Sequence, residues 1–318
     1  MSWLGKAKQK ISFGRTPPAL PTIAGDEQTF EWDNHQIVYS VLGEGKPLLL
    51  LHGINAAAWR FEVRRNIEPL AQGGYKVFAP DMPGFGKSTR LAQVYTAKDY
   101  IAFIKAFAAE IQAREGQAVT IVASNLIAAH AIAAAAQSSE LFAALLLICP
   151  TGIKHLAHPA SEKQLKLFNK LSGRVGKTLL WLLTSRPSTK FFLARDAYYD
   201  KNYITKAIVE GYHRATRYPN AQFAPFSFIT LQLSHNVTNE WAGLTQPAAI
   251  VWGDKATTLP LSDMEDFLRL RPDTAHSILT NTRLAPHDER AEEFNEVALK
   301  LLAQMQPASS LRDLVSAA

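Results

Sequence analysis

Three kinds of side chain in this sequence could do chemistry, and their spacing decides which kind. The stretch Ile121–His130 reads IVASNLIAAH, a strand running into a helix through a tight turn. A hydroxyl lifted on such a turn, served by an imidazole and a carboxylate, would give nucleophilic acyl transfer. The turn offers Ser124 and Asn125. The apex falls on Asn125, whose delocalised amide nitrogen has no readily ionised proton and cannot open an acyl-enzyme route. Ser124 is the alternative apex, and it would present a hydroxyl in place of the amide. Candidate proton carriers are His130, five residues beyond Asn125, then His155 and His287. His155-x-x-His158 has a spacing that metal sites use, but no acids stand near it, and we expect no metal. Cys149 ends an apolar run and has no evident histidine and acid set, so a buried inert thiol is expected. Gly43–Lys46, GEGK, is a turn and not a phosphate loop; no cofactor and no nucleic-acid partner is expected.

The elements that must position these groups alternate. TFEWDN and HQIVYSVLG are alternating runs joined at Asp33-Asn34, the signal of a hairpin. KPLLLLHG, YKVFAPD, AVTIVAS and ALLLICP are continuous apolar runs that fit strands buried on both faces. Between them, helices are expected at 57–72, 100–112 and 125–137. From 151 to 243 the pattern changes to helical segments without a buried strand, including 161–171, 175–183 and 204–214. Alternation resumes with PAAIVWGD, a helix at 261–270, HSILTN and a helix at 289–305. This predicts an α/β fold with a mostly parallel central sheet flanked by helices, and a helical lid inserted after the sixth strand. The expected division is a basic N-terminal tail (1–25), a first part of the core (26–150), the lid (151–243), a second part of the core (244–306) and a C-terminal tail (307–318).

The motifs fall in a telling order. His52-Gly53-Ile54-Asn55 closes one strand, and DMPGFGKS at Asp81–Ser88 closes the next, at the sheet end where open α/β sheets bind ligands. The elbow follows, then WGDKATTLP at Trp252–Pro260 and NTRLAPHDERAEEFN at Asn281–Asn295. In this order they resemble the α/β-hydrolase fold family, in its lid-containing epoxide hydrolase, esterase and dehalogenase-like branch, from about Thr29 to Met305. The elbow of that family is usually G-x-S-x-G, matched here by Ala123-Ser124-Asn125-Leu126-Ile127. The resemblance assigns the nucleophile position to Asn125. Trp252, Gly253 and Pro260 set the register of the acid loop, whose acid position falls on Ala256, with Asp254 two residues earlier. Asn281, Pro286, His287, Glu289 and Phe294 set the register of the histidine loop, whose histidine position falls on Leu284. A methyl cannot orient an imidazolium and a leucine cannot move a proton. The resemblance therefore implies a scaffold without its catalytic triad. It also implies that the Ile54 and Leu126 N–H groups are the oxyanion donors, within a ligand site formed by His52, Gly53, Ile54, Ser124, Asn125 and Leu126. The expected partner is a small apolar ligand under a lid rich in Phe168, Leu180, Trp181, Phe191, Phe192 and Phe223. The alternative is an active serine-type hydrolase with a rearranged site.

Charge and composition bound the rest. The 318 residues are 47% hydrophobic and 19% charged, enough for one large core, and the net charge is +6. A single cysteine rules out an intramolecular disulfide and favours a reducing, cytoplasmic setting. No apolar run is long enough to cross a bilayer. Residues 1–16 mix Trp3, Leu4, Ile11 and Phe13 with Lys6, Lys8, Lys10 and Arg15, a composition suited to peripheral contact with an anionic membrane. The sequence leaves the oligomeric state open.

Overall fold

The computed structural model describes residues 17–305; the membrane contact expected of residues 1–16 and the tail expected at 307–318 lie outside the described residues. The chain opens with a hairpin of β1 (Asp26–Trp32) and β2 (His35–Leu42). Its two-residue turn puts both Asp33 (φ 41°) and Asn34 (φ 61°) in the left-handed region, the backbone that matches strand twist and that Asn and Asp tolerate. Then come β3 (Lys46–Leu51), a one-turn 3-10 helix (Arg60–Val63), α1 (Ile67–Gln72), β4 (Tyr75–Pro80), α2 (Ala97–Glu115), β5 (Val119–Ser124), α3 (Asn125–Gln137) and β6 (Phe142–Ile148). Between β6 and the next strand the chain is helical: α4 (Glu162–Leu171), α5 (Arg174–Leu183), α6 (Arg186–Phe192), α7 (Lys206–Ala215), α8 (Phe223–Ile229) and α9 (Thr238–Ala242). The chain ends with β7 (Ala248–Gly253), α10 (Ser262–Leu270), β8 (Ala275–Leu279), α11 (Pro286–Glu289) and α12 (Ala291–Gln304).

Eight strands form one sheet in the order β1-β2-β4-β3-β5-β6-β7-β8. Only β1–β2 and β2–β4 are antiparallel; the other pairs are parallel. All six residues of β5 and all six of β7 are buried, as apolar strands covered on both faces must be. The α/β expectation of a mostly parallel sheet flanked by helices holds.

The helix expected at 57–72 is broken. Pro69 sits in the first turn of α1, where its missing N–H costs nothing. In a continuous helix it would stand in the interior, deprive the carbonyl of residue 65 of a donor and clash with it. Upstream, the backbone N–H of Arg60 is taken by Asp81 Oδ1 at 2.9 Å. That carboxylate also organises the DMPGFGKS loop. Asp81 is fully buried and accepts from Arg60 Nη1 (2.9 Å) and Lys87 N (2.8 Å). A Cβ at Gly86 would lie 2.1 Å from the Asp81 carboxyl carbon, so position 86 admits no side chain.

Helix α2 shows how local chemistry sets an end. Thr96 and Asp99 form a reciprocal capping box, and Gly116 closes the far end in the left-handed conformation. Thr96→Ala should lower stability by about 1 kcal/mol in urea unfolding followed by tryptophan fluorescence, with the midpoint shifted and the slope unchanged.

Candidate functional site

β5 ends at Ser124 in extended backbone (φ −111°), and α3 starts at Asn125 with φ 52°. The apex of the turn is therefore Asn125, and Ser124 lies below it. Asparagine tolerates this left-handed conformation better than most residues. Gly53 allows the loop after β3 to approach the turn. A Cβ there would sit 3.0 Å from Ser124 Oγ, 3.2 Å from Asn125 Nδ2 and 3.2 Å from Glu62 Oε1.

A cavity of about 280 Å³ opens at this end of the sheet. Its floor includes Gly53, Ile54, Asn125 and Leu126, and Leu284 contributes from the loop after β8. The helical insert supplies Phe192, Leu193, Tyr212 and Phe228. Among the expected site residues, His52, Ser124 and Ala256 are buried but do not line it. His52 instead joins two loops. Its Nε2 accepts from Met82 N at 3.1 Å, which leaves the proton on Nδ1 to donate to Gly53 O at 2.7 Å. Burial lowers its pKa, consistent with a neutral ring. Two buried oxygens at the cavity, Asn125 Oδ1 and Thr151 Oγ1, have no hydrogen-bond partner.

The group that sequence reasoning missed is Glu62. It is buried, lines the cavity, and accepts from three sides at one oxygen: Gly53 N (2.9 Å), Ser124 Oγ (2.8 Å) and His287 Nε2 (3.2 Å). An ionised carboxylate only accepts, so Nε2 of His287 carries a proton. Burial alone would raise the Glu62 pKa. The His287 hydrogen bond, together with the Gly53 N–H, outweighs burial and brings it down to about 2. In the sequence Glu62 reads as one more charge on a helix face; its three partners come from positions 53, 124 and 287, and no local pattern announces them.

The other chemical candidates are held in packing roles. His130 Nε2 lies 2.8 Å from Leu233 O, and burial drops its pKa to about 4. His155 Nδ1 pairs with Asp263 at 2.6 Å. Among the described residues no cluster of His, Cys, Asp and Glu could hold a metal. The Cys149 thiol is buried and pushed up to about 12 by that burial, so it carries no thiolate. His287 is followed by Asp288, a buried carboxylate that accepts from Tyr198 (2.6 Å), Tyr203 (2.6 Å) and Arg64 (2.9 Å), and this network fixes the loop carrying Leu284. A second carboxylate, Asp196, comes to the cavity from the insert. It accepts from Thr258 Oγ1 at 3.0 Å and pairs with Arg195.

A mostly parallel sheet, a sharp strand-to-helix turn at the carboxyl end of a central strand, and a cavity lined by the loops after β3, β7 and β8 define a class: open α/β folds with a crevice at the carboxyl edge of the sheet. The sequence model of the alpha/beta hydrolase family matches residues 48–297, and the chain belongs to that family. It is 26% identical over 255 residues to an uncharacterized hydrolase of Bacillus subtilis, covering 78% of this chain and 87% of that protein. It is 26% identical over 283 residues to the 2-hydroxy-6-oxo-6-phenylhexa-2,4-dienoate hydrolase of Comamonas testosteroni, covering 84% and 91%. Among solved structures, a serine hydrolase involved in carbazole degradation superposes with a TM-score of 0.70 at 20% identity, over 88% of this chain and all of the other. That likeness concerns the fold.

Proposed function

We propose that this member of the alpha/beta hydrolase family has given up Ser-His-Asp chemistry and binds a small, neutral, apolar ligand in the cavity above Asn125. The observation that carries the proposal is Asn125 itself, an amide at the left-handed apex of the elbow. Ala256 and Leu284, at the acid and histidine positions that the resemblance assigns, agree with it. The cavity size argues for a small ligand: about 280 Å³ falls just below the roughly 300 Å³ at which ordinary small-molecule sites start. Glu62 argues for a neutral one. A carboxylate that stays ionised at the cavity wall repels an anionic group brought to the same floor.

The second reading is a rearranged serine hydrolase, and the shared contacts of Ser124, Glu62 and His287 are what favours it. The order of those contacts speaks against it. The carboxylate stands between hydroxyl and imidazole, and a group with a pKa of about 2 is a poor base for a serine proton. Ser124 is also fully buried.

A thermal-shift series tests the binding reading. A medium-chain alcohol or methyl ester at about 100 times its Kd should raise the unfolding free energy by about 2.7 kcal/mol, while the carboxylate of equal length gives no shift. Equal shifts for both would remove the role given to Glu62, and no shift from any apolar probe would count against binding. Labelling of Ser124 by a fluorophosphonate would favour the second reading.

A further inference from the structure

We propose that the outer face of the helical insert, formed by α4, α5 and α6, docks onto an anionic phospholipid surface. This goes beyond the cavity and stands whether or not the cavity binds a ligand.

The first observation is where the exposed apolar side chains lie. Among the described residues, eleven large hydrophobics are exposed, and eight of them fall between Leu165 and Phe191. Val175 is 75% exposed, Phe191 63%, Trp181 60% and Leu182 55%. On α5, Val175, Leu179 and Leu182 follow one another at spacings of four and three, which puts them in one stripe of the helix. These are not core residues left without a place. Each helix already has its buried anchor, Phe168 on α4 and Leu180 on α5, and the two meet Phe226 of α8 beneath. The exposed stripe is additional to what packing the insert requires.

The second observation is charge. Lys163, Lys166, Lys170, Arg174, Lys177 and Lys190 lie on the same three helices, and none has an ion-pair partner among the described residues. From 161 to 191 the single acidic residue is Glu162. Cations with no acidic counterpart, alternating with exposed Trp, Phe and Leu, are the two components of interfacial binding: apolar insertion at the headgroup boundary and attraction to anionic lipid. A polyanion such as nucleic acid would use the cations, but it has no use for Val175, Leu179 and Leu182. Exposed apolar side chains interspersed with unpaired cations mark an interaction surface, and the sign of that charge selects the lipid.

The geometry connects this face to the cavity. Phe191 is exposed on the outside of α6, while its neighbour Phe192 lines the cavity. A surface seated on α6 therefore lies one residue from the cavity wall.

Vesicle co-sedimentation of the full chain provides the test. Vesicles of phosphatidylcholine with about a third phosphatidylserine should bind the protein at least about tenfold more tightly than phosphatidylcholine alone, and salt should weaken the binding. Trp181→Ser/Leu182→Ser/Phe191→Ser and, separately, Lys166→Glu/Lys170→Glu/Lys177→Glu should each lower partition by about tenfold or more. All six positions are exposed, so the unfolding midpoint of both variants should match that of the native protein. Partition that is unchanged in both variants, or carried wholly by residues 1–16, would overturn the proposal. So would a native dimer that the triple serine variant makes monomeric without any change in vesicle binding, because the face would then belong to a second copy of the chain.

Discussion

The native protein should lose about 3 kcal/mol of stability, relative to its Glu62→Gln variant, as the pH falls from about 5 to about 2. Glu62 is ionised in the fold with a pKa of about 2, against 4.5 for the ordinary carboxyl. A depressed folded-state pKa means that the stabilisation is fully present above about 4.5 and is lost as pH drops through the folded value. The difference of some 2.5 units corresponds to the stated energy at 1.36 kcal/mol per unit. Glutamine keeps the size and an accepting oxygen, so Gly53 N and Ser124 Oγ retain an acceptor, but the charge that holds His287 is gone. At about pH 7 the variant should be less stable by the same order, and the two stability curves should converge near pH 2. Urea unfolding across that range reads the effect directly. Parallel curves would mean that Glu62 is not the acid-sensitive group. His130, whose pKa burial lowers to about 4 and which therefore protonates within this range, is present in both proteins and cancels in the comparison.

The parts of this molecule legible in the sequence are those fixed by neighbours along the chain. The Asp33-Asn34 hairpin, the six-residue buried strands and the span of α3 follow from local turn chemistry and apolar runs. The elbow apex is legible too, because a strand that must become a helix within one residue leaves little choice of register. What is not legible comes from distant positions meeting. The helix expected at 57–72 breaks partly because Asp81 claims the Arg60 N–H, a contact across 21 positions. Glu62 escapes notice because its partner His287 is 225 residues away. His52, expected at the ligand site, turns inward, where its ring nitrogen accepts from the backbone N–H of Met82, 30 positions away. The carboxylate that reaches the cavity from the insert, Asp196, sits in a stretch whose helical pattern carries no functional signal.

Purified native protein should hydrolyse short and medium-chain nitrophenyl esters no faster than buffer, and Asn125→Ser/Ala256→Asp/Leu284→His should exceed it by about a hundredfold or more. The estimate takes the low end of what a positioned acid–base pair contributes, because transplanted groups lack tuned support. The backbone is in place for the gain. The apex already has the left-handed φ that lifts a side chain into the cavity, and the N–H groups in the first turn of α3 have no acceptor within the helix. Leu284 lines the same cavity as Asn125, and its loop is held by the Asp288 network. The obstacle is Glu62. Its carboxylate occupies the Gly53 N–H, next in sequence to Ile54, which the family resemblance makes an oxyanion donor. A fixed negative charge there opposes the negative charge that develops on the carbonyl oxygen. Adding Glu62→Gln to the triple variant should therefore raise the rate again, by about tenfold, which corresponds to 1.4 kcal/mol. The double readout separates two failures. If the triple variant is inert but gains activity with Glu62→Gln, the triad register is right and Glu62 is what keeps the native cavity for neutral ligands. If both are inert while cooperative unfolding shows that both are folded, the positions assigned to the acid and the histidine are wrong. Native turnover that survives Asn125→Ala would reject the loss of catalysis itself and direct the search to Ser124.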